Sequence, residues 1–230
     1  MIAAVLLVYT AAKGMRAVVP FLAGALPSVL ALALYNTAAF DSPFRLSYRY
    51  VSRRFAEDQS KGLFGIGVPD PEALARVLFS ADGLLLLSPV LAAGAAGLVL
   101  LWREGLRAEA AVCGGIATLF LLVTAGYYDP IGGLSPGPRF FIPAIPFLAV
   151  GISCALRRWP FFTLGLTAIS IGLMCYRAGT WSRPRGESFV TVWSLLGTPR
   201  LVGIVAVSAL ALAALILSGR SVFARYGARA

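Results

Sequence analysis

The sequence predicts an all-α, polytopic membrane helical bundle: six full spans, a short hydrophobic helix ahead of them, and short interfacial helices in the outer loops. Three observations lead there. Of 230 residues, 59% are hydrophobic and only 13% charged, with a mean hydropathy of +0.82, outside the balance of a soluble globular domain. Apolar runs recur near the roughly 20 residues that cross a hydrocarbon core of about 30 Å. The basic residues stand singly or in pairs between those runs, so the net charge of +10 reads as membrane topology and not as a nucleic-acid surface.

The six runs are Val18 to Phe40, Leu84 to Trp102, Ala110 to Tyr127, Phe140 to Leu156, Phe161 to Tyr176 and Leu201 to Ser218, within one transmembrane domain, 1–230. A seventh, Ile2 to Ala12, is too short to cross. Its segment, MIAAVLLVYTAAKG, lacks the basic leader and cleavage site of a signal peptide, and reads either as the end of a longer helix or as a short tilted one. Pro27 and Pro89 are expected to bend their helices. Ala168 with Gly172, LAAGAAGL and VCGGIA offer small faces for close helix contact.

Lys and Arg favour loops that stay in the cytoplasm. When the spans alternate, Lys13 and Arg16, Arg103 and Arg107, Arg157 and Arg158, and Arg220, Arg225 and Arg229 fall on one side. This orients the chain as a multi-pass protein of the inner (plasma) membrane with a cytoplasmic C-terminus. Asp41 to Gly83, Tyr128 to Arg139 and Arg177 to Arg200 then face outward, carrying eight of the ten acidic residues. External segments of that length can build a site; the short basic turns cannot.

Histidine is absent, which excludes Ser-His catalysis and the His-containing zinc motifs. Cys113, Cys154 and Cys175 each lie in a different apolar run and read as small buried residues.

The first outer segment opens LYNTAAFDSPFRLSYRY. Asn36 reads as a helix-end cap ahead of a substrate contact. If the following residues are helical, Arg45, Arg49 and Arg53 share a face beside Tyr48 and Tyr50, suited to phosphate or equally to snorkelling toward lipid head groups. Farther on, Asp70 as N-cap, Pro71 at the first position and Glu72 in the first turn predict a short surface helix with Leu74, Val77 and Leu78 on its apolar face.

The segment GGLSPGPRFFIPAIPF concentrates rigidity and charge. Gly132, Gly133 and Gly137 permit unusual backbone angles, and Pro136 and Pro138 restrict those on either side of Gly137. Pro143 and Pro146 loosen the hydrogen bonding at the outer end of the next helix. Arg139 stands where this stiff loop meets hydrocarbon, placed for an anionic lipid phosphate, or alternatively as a topology anchor or ion pair with Asp129.

The run YN..FDSP...SYR, a G.FG...P stretch, the GLLLLSPVL span and GG.S.GPRF..P..PFL resemble bacterial GT-C type membrane glycosyltransferases over most of the chain, in the polyprenyl-phosphate-sugar-dependent, mannosyltransferase-like branch. The resemblance implies sugar transfer from a lipid-linked phosphate on the extracytoplasmic face, with inversion at the anomeric carbon and often a divalent cation. It implies that Arg139, with Tyr128, Asp129 and the Asp41 to Tyr48 block including Arg45, contacts the donor. The family's catalytic aspartate lies in an external loop after the first span, and no such loop precedes Lys13. The chain thus resembles the later half of those enzymes, without the N-terminal catalytic half, and reads as a fragment, a degenerate copy or a subunit completed by a second polypeptide. The alternative is a non-catalytic protein that binds lipid-linked saccharide or scaffolds a partner. A transporter is disfavoured, since no internal repeat is evident and the mid-span segments are almost free of charge.

Overall fold

A computed structural model describes residues 1–45, 57–58, 62–63, 65–133, 136–179, 202–210 and 212–213. Among these the secondary structure is helical without strands; Leu63 and Ile66 form an isolated antiparallel bridge. Two compact units are present, Met1–Val68 and Pro69–Ala230.

The first unit contains a helical hairpin. Helices α1 (Ile2–Lys13) and α2 (Met15–Phe40) pack on each other and join through Gly14, whose φ of 128° suits glycine. At 12 residues α1 rises only about 18 Å, short of a crossing. α2 has a mean hydropathy of 2.2, and none of its most apolar stretch is covered by the chain. A long helix apolar on all sides whose apolar stretch is left unburied has hydrocarbon as its solvent. It continues past both Pro20 and Pro27.

The second unit begins with α3 (Pro71–Phe79), which starts as its residues dictate: Asp70 Oδ2 accepts from the Ala73 amide at 3.2 Å, with Pro71 at the helix start. Its buried side, Ala73 and Val77, belongs to a helix packed on α6 (Arg107–Gly126). The expected span from Leu84 to Trp102 is not one helix. It breaks into α4 (Leu84–Leu87) and α5 (Val90–Arg103), and the two halves of this bent pair, Pro71–Leu87 and Val90–Arg103, meet at 89°. Pro89 has no amide to continue the ladder, and its ring opposes the carbonyl four residues back. The first amide of α5, Val90, donates instead to Ser170 Oγ at 3.1 Å. Ser170 lies near the middle of α8 (Pro160–Gly179), so the break sits deep beside a span.

The chain continues through a 3-10 helix (Arg139–Ala144) into α7 (Ile145–Arg158), and residues 202–210 are helical. Among the described residues four helices are long and apolar enough to cross, Met15–Phe40, Arg107–Gly126, Arg139–Arg158 and Pro160–Ala178, and five if the bent pair is one span. The expectation of six full spans is corrected accordingly. The last expected span, Leu201 to Ser218, lies only partly within the described residues.

Leu84, Leu91 and Leu98, seven apart, form a core seam with Phe141, Ala144 and Leu148. α5 and α7 approach to backbone contact, since a Cβ on Gly97 would strike the Gly151 carbonyl and one on Gly151 the Gly94 carbonyl. A Cβ on Gly172 would reach Ile204 O at 2.9 Å and collide with Ser208. The other expected small face is different: Gly115 has nothing within 4 Å and Gly114 only Leu98 at 4.0 Å. Cys113 and Cys154 are buried as expected, but Cys175 is exposed. At one end of the unit Arg157 Nη2 lies 2.9 Å from Glu104 Oε2, tying the α5–α6 turn to the α7–α8 turn. The Tyr128 to Arg139 loop joins α6 to α7 at the opposite end.

Candidate functional site

The loop after α6 is built by local hydrogen bonds and aromatic packing. Thr124 Oγ1 donates back to Phe120 O at 2.6 Å in the last turn of α6. Tyr127 then packs against Tyr128 and Phe140, each with ring centres 4.5 Å apart. Asp129 closes the next turn twice, its carbonyl accepting from Gly132 at 2.9 Å and its Oδ2 from the Gly133 amide at 2.6 Å. Gly132, Gly133 and Gly137 hold φ of 83°, 80° and 89°, the left-handed conformations anticipated from the sequence.

Gly132 is required on a second count. A Cβ there would sit 2.8 Å from Arg139 Cγ and 3.1 Å from Phe140 Cε2, so the arginine stem lies where a side chain would be. Arg139 begins the 3-10 helix, with the Phe141 amide bonded to Pro138 O at 3.0 Å and Pro143 inside the helix. The loosened hydrogen bonding expected from Pro143 and Pro146 takes this tighter helical form. The Arg139 guanidinium is exposed and lies 5.1 Å from the centre of the Phe140 ring. It does not form the alternative ion pair with Asp129, whose carboxylate is engaged by Gly133. Arg139 has no hydrogen-bonded or ionic partner among the described residues.

Arg139 borders a cavity of about 250 Å³. The Pro136 to Pro138 stretch, Ile142 and Ile145 form one side, with Leu87, Ser88 and Met174 from the broken span and α8. The break therefore lines a hollow, where irregular backbone at membrane depth is tolerated. A second, larger apolar cavity of about 430 Å³ runs between α5, α6 and α7 and shares Leu84, Leu91 and Phe141 with the first.

Tyr128, Asp129 and Arg139 thus come together in one loop, Tyr128 partly exposed at 37%. Asp41 and Arg45 belong to the first unit, where both terminate α2. Asp41 takes the left-handed C-cap conformation (φ 59°), its amide bonded to Thr37 O at 2.9 Å, and Arg45 Nη1 donates to Phe40 O at 3.0 Å. Asn36 is buried and donates to Pro43 O at 3.1 Å, a backbone hydrogen bond to the segment after the helix and not a cap on its last carbonyls. Tyr48, Arg49, Tyr50 and Arg53 lie outside the described residues.

Sequence reasoning missed the ion pair of Asp82 with Arg177. The Asp82 carbonyl oxygen lies 3.7 Å from where a Cβ on Gly137 would stand, so the pair anchors the turn beside the Arg139 loop. The available signal was topological: both residues had been assigned to outward segments. Among the described residues no group of three or more acidic or cysteine side chains could hold a metal, so nothing there fits the divalent cation that the resemblance allows. Compared with models of known families, with curated proteins and with solved structures, the chain matches none.

Proposed function

We propose that this chain is the donor-holding part of a membrane glycosyltransferase of the GT-C type, binding a polyprenyl-phosphate sugar on the extracytoplasmic face. One observation carries the reading: a guanidinium without a hydrogen-bonded or ionic partner among the described residues stands at the rim of an apolar cavity, in a loop whose glycines hold left-handed conformations. Arginine's planar donors match phosphate oxygens, and the charge is strengthened where water is sparse. In this proposal Tyr128 and Asp129, on the same loop, contact the sugar.

Transfer also needs a carboxylate to take a proton from the acceptor hydroxyl. Among the described residues no Asp or Glu lines the Arg139 cavity, and in this proposal the base comes from a second polypeptide and the chain alone binds without turning over. The non-catalytic reading, a protein that only retains lipid-linked saccharide, makes the same binding prediction and differs in having no such partner.

The test uses the full chain in proteoliposomes with polyprenyl phosphate and the uncharged polyprenol as probes. Selective retention of the phosphate, weakened about tenfold or more in Arg139→Gln and partly kept in Arg139→Lys, is the expected result. Equal retention of the two probes, or unchanged affinity in Arg139→Gln, overturns the proposal. Sugar transfer restored by a co-expressed partner separates the enzyme reading from simple retention.

A further inference from the structure

The end of the second unit away from Arg139 carries a different arrangement. α5 passes to α6 through Glu104, Gly105 and Leu106. Gly105, at φ 95°, donates to Trp102 O at 3.2 Å, and the Leu106 amide reaches back to Leu101 O at 3.2 Å. This doubly bonded helix terminus fixes Arg103 and Arg107 on either side of a tight turn. The α7–α8 turn adds Arg157, Arg158 and Trp159. Arg157 is spent on Glu104, the acid of the α5–α6 turn, and Glu109 follows in the first turn of α6, so the basic residues outnumber the acids at this end. Arg103, Arg107 and Arg158 are exposed and have no side-chain hydrogen bond or ion pair among the described residues.

The larger apolar cavity opens beside this turn. Trp102, next to Arg103, and Ala110, in the first turn of α6, line one end, and Ala95, Val99 and Gly114 continue it. From Trp102 to Leu91 the helix rises about 16 Å, roughly half of a 30 Å hydrocarbon core, or one leaflet. At the far end Leu84, Leu91 and Phe141 are all buried and stand between it and the Arg139 cavity.

We infer that this turn and groove bind an anionic phospholipid of the leaflet on that side. Its phosphate meets Arg103 and Arg107, and one acyl chain lies between α5 and α6. Trp102 sits at the water boundary, where indole rings favour one wet and one apolar edge. Charge complementarity selects the occupant: basic pockets between spans attract anionic head groups, and the depth suits a chain of the adjoining leaflet. The inference does not rest on the reading of Arg139.

Native mass spectrometry of the purified full chain, titrated with phosphatidylglycerol and with phosphatidylcholine of the same chains, tests it. Wild type should prefer phosphatidylglycerol, and the double variant Arg103→Gln, Arg107→Gln should lower that affinity about tenfold or more, with a smaller loss for phosphatidylcholine, whose choline already offsets its phosphate. Gly114→Leu grows into the groove, where a Cβ has only Leu98 at 4.0 Å, and should weaken both lipids. Equal affinity of wild type for the two lipids, or undiminished binding in Gly114→Leu, overturns the inference. So does a lost preference in Arg139→Gln with none in the double variant, which would assign the groove to a lipid held from the opposite end.

Discussion

Arg177, in the last turn of α8, holds Asp82, between α3 and α4, by bringing Nε to 2.8 Å and Nη2 to 2.7 Å of a single oxygen, Oδ1. The side chains are only 15% and 18% exposed. Removing one partner leaves a charge in a poorly solvated place, which costs about 3–5 kcal/mol when burial is complete and somewhat less here. Asp82→Asn and Arg177→Met should each lower thermal stability in detergent, with the double variant recovering part of the loss. A double-mutant cycle with no coupling would show that the pair contributes nothing.

Gly132 and Gly133 allow loop strain to be separated from arginine position. Both hold positive φ, so alanine at either strains the backbone by about 1–2 kcal/mol. Only at Gly132 does the new Cβ strike the Arg139 stem; at Gly133 the nearest atom is Arg139 Nη2 at 3.9 Å. Both variants should lose similar stability, yet Gly132→Ala alone should weaken polyprenyl-phosphate binding severalfold. Titration of the two variants side by side decides it, and equal affinities would mean that Gly132 does not set the guanidinium's place.

At the α5–α7 crossing, Gly97→Ala and Gly151→Ala force backbone against backbone, a contact that no rotamer relieves. Each should cost about 1–3 kcal/mol. Gly115→Ala meets open space and should be neutral or slightly stabilising. Melting temperatures of the three variants in one detergent give the comparison.

Ser170→Ala removes the acceptor for the Val90 amide and leaves that donor unpaired beside the helix break. A loss of about 1–3 kcal/mol is expected. Hydrogen exchange should accelerate in the first turn of α5 before it does elsewhere; uniform exchange across α5 would count against this local role.

Local chemistry was legible in the sequence and distant pairing was not. Asp70, Pro71 and Glu72 announced the start of α3 because capping is settled within four residues, and the three loop glycines announced their positive φ for the same reason. Pro89 marked a bend in its span, which the structure bears out, but its size did not show, because GLLLLSPVL is apolar on both sides of Ser88 and Pro89 and hydropathy averages over the one place where the backbone gives way. Small residues marked faces without naming partners: LAAGAAGL meets Gly151, while Gly114 and Gly115 meet almost nothing. Asp41 and Arg45 drew attention as charges, and the structure uses them to end α2. Asp82 and Arg177, 95 residues apart, carry no local sign of each other.

The bend of 89° between the two halves of the interrupted span alters what the protein offers a visitor. A straight rod would have filled that depth with side chains from surface to surface. The folded path leaves a ledge below the waterline, with the blunt beginning of α5 as its floor and Arg139 on its wall. Under the proposed donor-holding role, selection would turn on how far a head group can sink before it loses its hydration, more than on how wide it is.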